Sequence, residues 1–81
     1  MDKKRQEDLI LAMKVLGFEI DRRKLAKDEL YFSGKGQIMR PQSWELLEEW
    51  LNVKYYNSEI TKRRVEFILY PERFIRNMDD T

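Results

Sequence analysis

The chain has 81 residues, 42% of them hydrophobic, and its 16 Lys and Arg nearly balance 15 Asp and Glu to a formal net charge of +1. This length predicts a single domain, 1–81, and the hydrophobic fraction predicts a core rather than a disordered chain. The sequence contains neither Cys nor His. Disulfides, thiolate nucleophiles, thiolate metal sites and imidazole acid–base chemistry are therefore excluded. Because small extracellular domains usually carry disulfides, we expect a soluble, cytoplasmic protein.

The N-terminal segment does not read as a targeting or membrane segment. Lys3, Lys4 and Arg5 look like the basic start of a signal peptide, but the apolar run Leu9 to Met13 that follows is only five residues long. This run is too short for a signal peptide and for a membrane span. We expect no membrane association.

The first predicted element is a helix over residues 5–16. Its main apolar face carries Leu9, Ala12, Met13 and Leu16. Gly17 is typical of the left-handed residue that follows a helix. Leu11 and Val15 form a second apolar pair on nearly the opposite side. Either the helix is buried on both sides, or this second stripe meets another chain.

The middle of the chain predicts antiparallel strands. Residues 18–24 begin with alternating apolar and polar side chains, which suggests a short strand, and 28–33 is a clearer one with bulky aromatic residues. A turn over 33–36 and a returning strand over 37–40 complete a hairpin, so the predicted sheet has two or three strands.

A second helix is predicted to start at Ser43, a favourable N-cap residue. Six apolar residues cover an arc of roughly 180° on its helical wheel. They are Trp44, Leu46, Leu47, Trp50, Leu51 and Val53. Either one Trp packs under the hairpin and the other under the first helix, or one Trp edge, together with Tyr55, forms part of a partner surface.

Residues 59–70 are ambiguous between helix and strand. Their apolar residues are scattered on a helical wheel, whereas the Lys62–Arg64 run and the absence of Gly favour a helix. We favour a helix that begins after Asn57 or Ser58. Pro71 ends it, a final short turn extends to residue 75, and residues 77–81 are expected to fray.

No motif points to catalysis, a metal or a cofactor. Glu45, Glu48 and Glu49 read as a solvated helix face, because hard-cation sites usually draw their ligands from a shaped loop or several elements. The Gly34–Gly36 segment lacks the spacing of a phosphate-binding loop and reads as a hairpin turn. We expect no catalytic residue, no cofactor and no metal requirement.

Basic residues cluster in 22–40 and in 54–76, with aromatic residues in or beside them. Cations with neighbouring aromatic rings are what single-stranded nucleic acid binding requires. The acidic helix after Ser43 would oppose such binding if it lay on the same side. The candidate nucleic-acid contacts are Arg22, Arg23, Lys24, Lys62, Arg63 and Arg64.

Together these features predict a small α+β domain with an N-terminal helix, an antiparallel hairpin and one or two further helices. We expect a non-enzymatic protein-interaction or regulatory module of a bacterial or phage type, with self-association or another protein partner. A small nucleic-acid-binding protein is the alternative. The candidate protein-interface residues are Leu11, Val15, Trp44, Trp50 and Tyr55.

Overall fold

The computed structural model describes residues 1–74 and confirms the α+β fold class. The elements in chain order are α1 (Lys3–Val15), β1 (Glu19–Ile20), α2 (Arg22–Leu25), β2 (Phe32–Gly34), β3 (Gln37–Met39), α3 (Trp44–Val53) and α4 (Glu59–Leu69). The three strands form one antiparallel sheet in the order β1-β2-β3. In the part of the chain so described, no helix has the length and apolar character needed to cross a membrane.

Helix α1 lies at the centre of the domain and contacts α3, α4 and β1. It begins two residues earlier than predicted, because the Asp2 carboxylate caps it by accepting the Arg5 backbone N–H at 2.7 Å. Of the second apolar pair, Leu11 remains 48% exposed and Val15 is half-buried. The helix is therefore not buried on both sides.

The strand expected over residues 18–24 is shorter than predicted. Only Glu19–Ile20 pairs with β2, and the chain then turns into α2. The cause is Asp21, whose carboxylate accepts the backbone N–H groups of Arg23 and Lys24 and so caps a helical turn.

The predicted strand over 28–33 also begins late, at Phe32. Asp28 has a φ of 62°, a left-handed conformation that interrupts an extended chain. The hairpin itself is confirmed. Its turn has positive φ at both Lys35 (53°) and Gly36 (73°), the geometry of a type I′ turn.

Helix α3 starts where the sequence predicts, with the Ser43 hydroxyl accepting the Leu46 backbone N–H at 3.1 Å. Leu47 and Leu51 are buried, and both Trp44 and Trp50 are half-buried against the core. The two Leu residues of the apolar arc are therefore buried in the core, and the two Trp side chains are only partly covered.

We expect Ser43→Ala to lower the free energy of unfolding by about 1 kcal/mol, because it removes the acceptor for an otherwise unpaired helix N–H. Thermal melts followed by circular dichroism measure the effect. Ser43→Asp is the matched control and should stay close to the wild type. Equal stability of all three proteins would contradict a capping role for Ser43.

The helix favoured over residues 59–70 is confirmed as α4, capped by Ser58. Val65 and Leu69 are buried, whereas Ile60 and Phe67 are exposed on the other side. The apolar residues are scattered on the wheel because two opposite faces of α4 are apolar. Pro71 follows the helix in a further turn that reaches Phe74. The expected fraying of 77–81 lies outside the described residues.

Candidate interaction surface

The outer face of α4 carries an exposed apolar surface. Ile60 is 69% exposed and Phe67 is 56% exposed, and they are seven positions apart, which places them on one side of the helix. An open groove of about 440 Å³ runs along this face. Its lining residues, called the α4 patch below, are Val15, Ile60, Arg63, Arg64, Phe67, Ile68 and Phe74.

Phe74 extends the α4 patch through the turn that follows Pro71. Its backbone N–H donates to the Pro71 carbonyl at 3.0 Å. The turn brings its ring against that of Phe67, edge to face, with the centroids 5.5 Å apart and the planes at 62°. The two rings form a joint aromatic surface beside solvent.

Helix α1 contributes Val15 to the same surface. Val15, the last residue of α1, lines the patch with Ile60, near the start of α4. Near the start of α1, the Arg5 guanidinium donates to the carbonyl of Leu69, the last residue of α4, so the two helices run antiparallel. Leu11 lies one turn before Val15 on the same side of α1 and is half exposed. The structure therefore places two of the five expected interface residues in or beside the α4 patch.

The polar rim of the α4 patch is basic. Arg63 and Arg64 line it between Ile60 and Phe67. The Arg63 Nε lies 3.8 Å from a Glu59 carboxylate oxygen, and both side chains are 71% exposed. Such an exposed pair holds Arg63 only weakly, so its guanidinium can turn toward a partner carboxylate.

A second exposed apolar surface lies on α3. Leu46 is 48% exposed, Val53 is 75% exposed, and the half-buried Trp50 lies between them. This spacing of four and three residues keeps all three on one side of the helix. We call Leu46, Trp50 and Val53 the α3 stripe. Glu45 and Glu49 are exposed residues of the same helix, and Glu49 lies on the flank of the stripe.

Trp44 and Tyr55 line grooves other than the α4 patch. Trp44 lines a mixed groove of about 490 Å³ between α1 and α2. In that groove Arg22 donates two hydrogen bonds to the Glu7 carboxylate, at 2.9 and 3.0 Å, and these bonds lower the pKa of Glu7. Arg22 and Glu7 therefore satisfy each other within the groove. Tyr55, 83% exposed, lines another groove beside Lys35.

The six expected nucleic-acid contacts do not all lie together. Arg22 is engaged by Glu7, and the Lys24 ammonium lies 4.9 Å from the centre of the Tyr31 ring. Lys62 lines a groove with Tyr56 and Tyr70, whereas Arg64 lines the α4 patch. Residues two positions apart on a helix point about 200° apart, so the Lys62–Arg64 run divides between two sides. Arg23 is exposed at the start of α2.

Sequence reasoning missed Ile60, Phe67 and Phe74. A signal was present, because the apolar scatter of residues 59–70 resolves into two faces once a helix is assumed. Within residues 1–74 no group of acidic side chains is arranged to hold a metal ion.

With its exposed apolar side chains and its two Arg residues, the α4 patch can bind an apolar surface that carries negative charge.

Comparison of the chain with protein-family models, with curated protein sequences and with solved structures finds no match.

Proposed function

We propose that this chain is a non-enzymatic protein-interaction module, regulatory in type, and that the α4 patch is its contact surface. The observation that carries the proposal is the exposure of Ile60 and Phe67 on the outer face of a helix whose inner face is already buried. Large contiguous apolar surfaces on small proteins mark interaction sites. Aromatic residues and Arg are also enriched where binding energy concentrates.

The charges of the patch indicate the kind of partner. Arg63 and Arg64 lie between the two exposed apolar residues along the helix. A partner therefore binds most tightly when it places carboxylates between its own apolar side chains. An amphipathic helix with acidic residues beside its apolar face has this pattern. A cytoplasmic location, expected from the cysteine-free sequence, is part of the proposal.

A capture experiment from lysate of the native host tests the proposal. The wild type, Phe67→Glu and the control Ile38→Glu are immobilised, and bound proteins are quantified with and without nuclease. Ile38 is 61% exposed on β3, so the control introduces the same charge at another exposed apolar position. We expect Phe67→Glu to reduce capture of the partner at least tenfold, because loss of a central aromatic anchor typically costs 2 kcal/mol or more.

The control variant Ile38→Glu should capture the partner as well as the wild type does. Nuclease treatment should leave the amount captured by both proteins unchanged. Circular dichroism confirms that both variants fold. Equal loss in the two variants would contradict the α4 patch as the contact surface. Capture that disappears with nuclease would instead support the nucleic-acid alternative.

A further inference from the structure

We propose that copies of this chain associate head to tail, with the α3 stripe of one copy occupying the α4 patch of the next. This inference rests on the proposed function, since it requires the α4 patch to be a protein-contact surface. It goes further by naming the occupant as a second copy and by assigning a role to the α3 stripe.

The charges beside the two surfaces favour a contact between the α3 stripe and the α4 patch. Glu49 lies on the flank of the α3 stripe, whereas Arg63 and Arg64 line the α4 patch. A symmetric contact between two α4 patches would bring Arg63 and Arg64 of both copies together. A symmetric contact between two α3 stripes would likewise place Glu49 near its own counterpart. Each surface also holds one charge of the other sign, Glu59 beside Arg63 and Lys54 over the Trp50 ring. Two α4 patches would still bring four Arg together against two Glu, whereas the mixed contact offers Arg63 and Arg64 the Glu49 carboxylate, and like charges across an interface are costly.

The exposed apolar residues of the two surfaces have the same spacing. Leu46 and Val53 are seven residues apart on α3, and Ile60 and Phe67 are seven residues apart on α4. At 1.5 Å per residue each pair spans about 10 Å. The two exposed apolar ends of one surface can therefore meet those of the other.

The centres of the two surfaces also match. Along the helix axes, Trp50 lies between the two ends of the α3 stripe, and Arg63 and Arg64 lie between the two ends of the α4 patch, on its rim. The Trp50 ring already accepts a cation, because the Lys54 ammonium lies 4.7 Å from its centre. A guanidinium stacks on such a ring at least as well as an ammonium, so an Arg of the second copy can take the place of Lys54 on it. The docked pair therefore provides both a ring and a carboxylate for the two Arg residues.

In the proposed arrangement each copy uses its two surfaces on two different neighbours, so the contact is heterologous. A heterologous contact repeats from copy to copy and builds a ring or an open filament rather than a closed dimer. Each surface is a few side chains wide, so we expect weak association, visible as the protein concentration approaches about 1 mM.

Two variants, each with one surface disabled, test the inference. Leu46→Gln with Val53→Gln removes the ends of the α3 stripe, and Ile60→Gln with Phe67→Gln removes those of the α4 patch. Gln favours helix and carries no charge, so no new ion pair arises between the disabled surfaces. All four positions are at least 48% exposed, and circular dichroism checks that the variants fold.

Light scattering and sedimentation measure the mass at rising concentration. We expect the wild type to exceed the mass of a dimer and each variant alone to remain monomeric. An equimolar mixture should rise above the monomer mass and never exceed twice that mass. Higher salt should weaken all association. A mixture that stays monomeric, or a variant that still dimerises alone, overturns the inference.

The outcomes also separate this inference from the proposed function. If the mixture stays monomeric while Phe67→Glu still abolishes capture from lysate, the head-to-tail contact is wrong and the interaction module stands. If the mixture stays monomeric and Phe67→Glu captures as well as the wild type, both are wrong.

Discussion

Phe32→Ala is expected to destabilise the domain by about 3–5 kcal/mol, the usual effect of emptying a fully buried phenylalanine site. Phe32 is 0% exposed, and it lies on the central strand, opposite Ile20 on one side and Met39 on the other. Small domains have total stabilities near the low end of about 5–15 kcal/mol. The loss would therefore consume most of the free energy of folding.

Phe67→Ala is the matched control, because it makes the same change at a side chain that is 56% exposed. Urea denaturation followed by circular dichroism compares the two variants with the wild type. We expect Phe67→Ala to cost no more than about 1 kcal/mol, since most of its ring already contacts water. Similar losses in the two variants would mean that Phe32 does not occupy the centre of the core.

Arg5→Gln is expected to cost about 2 kcal/mol and to lower the melting temperature by about 10 °C. Arg5 joins three helices. Its guanidinium donates to the Glu48 carboxylate at 2.7 Å, donates to the Leu69 carbonyl and lies 4.9 Å from the centre of the Tyr70 ring. The side chains of Arg5 and Glu48 are only 22% and 28% exposed. Removing the cation leaves a carboxylate and a carbonyl in a largely dry position.

Arg5→Lys is the control for charge alone. A lysine keeps the positive charge but cannot reach two acceptors with a planar fork, so we expect a partial loss. In a Glu48→Gln background, Arg5→Gln should cost at least about 1 kcal/mol less than in the wild type. Strictly additive losses would contradict the joint role of Arg5 and Glu48.

The Arg5–Glu48 pair also corrects an expectation from the sequence. Glu45, Glu48 and Glu49 were expected to form one solvated face, but Glu48 is half-buried against α1. The two residues are 43 positions apart. No local pattern indicates a contact over that distance, because it depends on how α1 and α3 pack.

The element types were decided by the sequence itself. Ser43 and Ser58 each cap the helix that follows, and Lys35 with Gly36 forms the type I′ turn of the hairpin. These features depend on hydrogen bonds and dihedral angles within a few residues. The two strands predicted too long failed for a local reason as well, since Asp21 and Asp28 redirect the backbone near their own positions.

Only the tertiary structure decided which apolar residues are buried. Both α3 and α4 have more apolar surface than the core covers, and Leu51 and Val65 are buried whereas Val53 and Ile60 remain exposed. The need for glycine at position 34 is tertiary too, because a Cβ there would lie 1.9 Å from the Gly17 carbonyl oxygen. Periodicity identifies an apolar face, but burial depends on the helix or strand that packs against it. Helical periodicity reveals two apolar faces on α4, and only the folded chain shows that the face of the α4 patch, on which the proposed function rests, stays exposed.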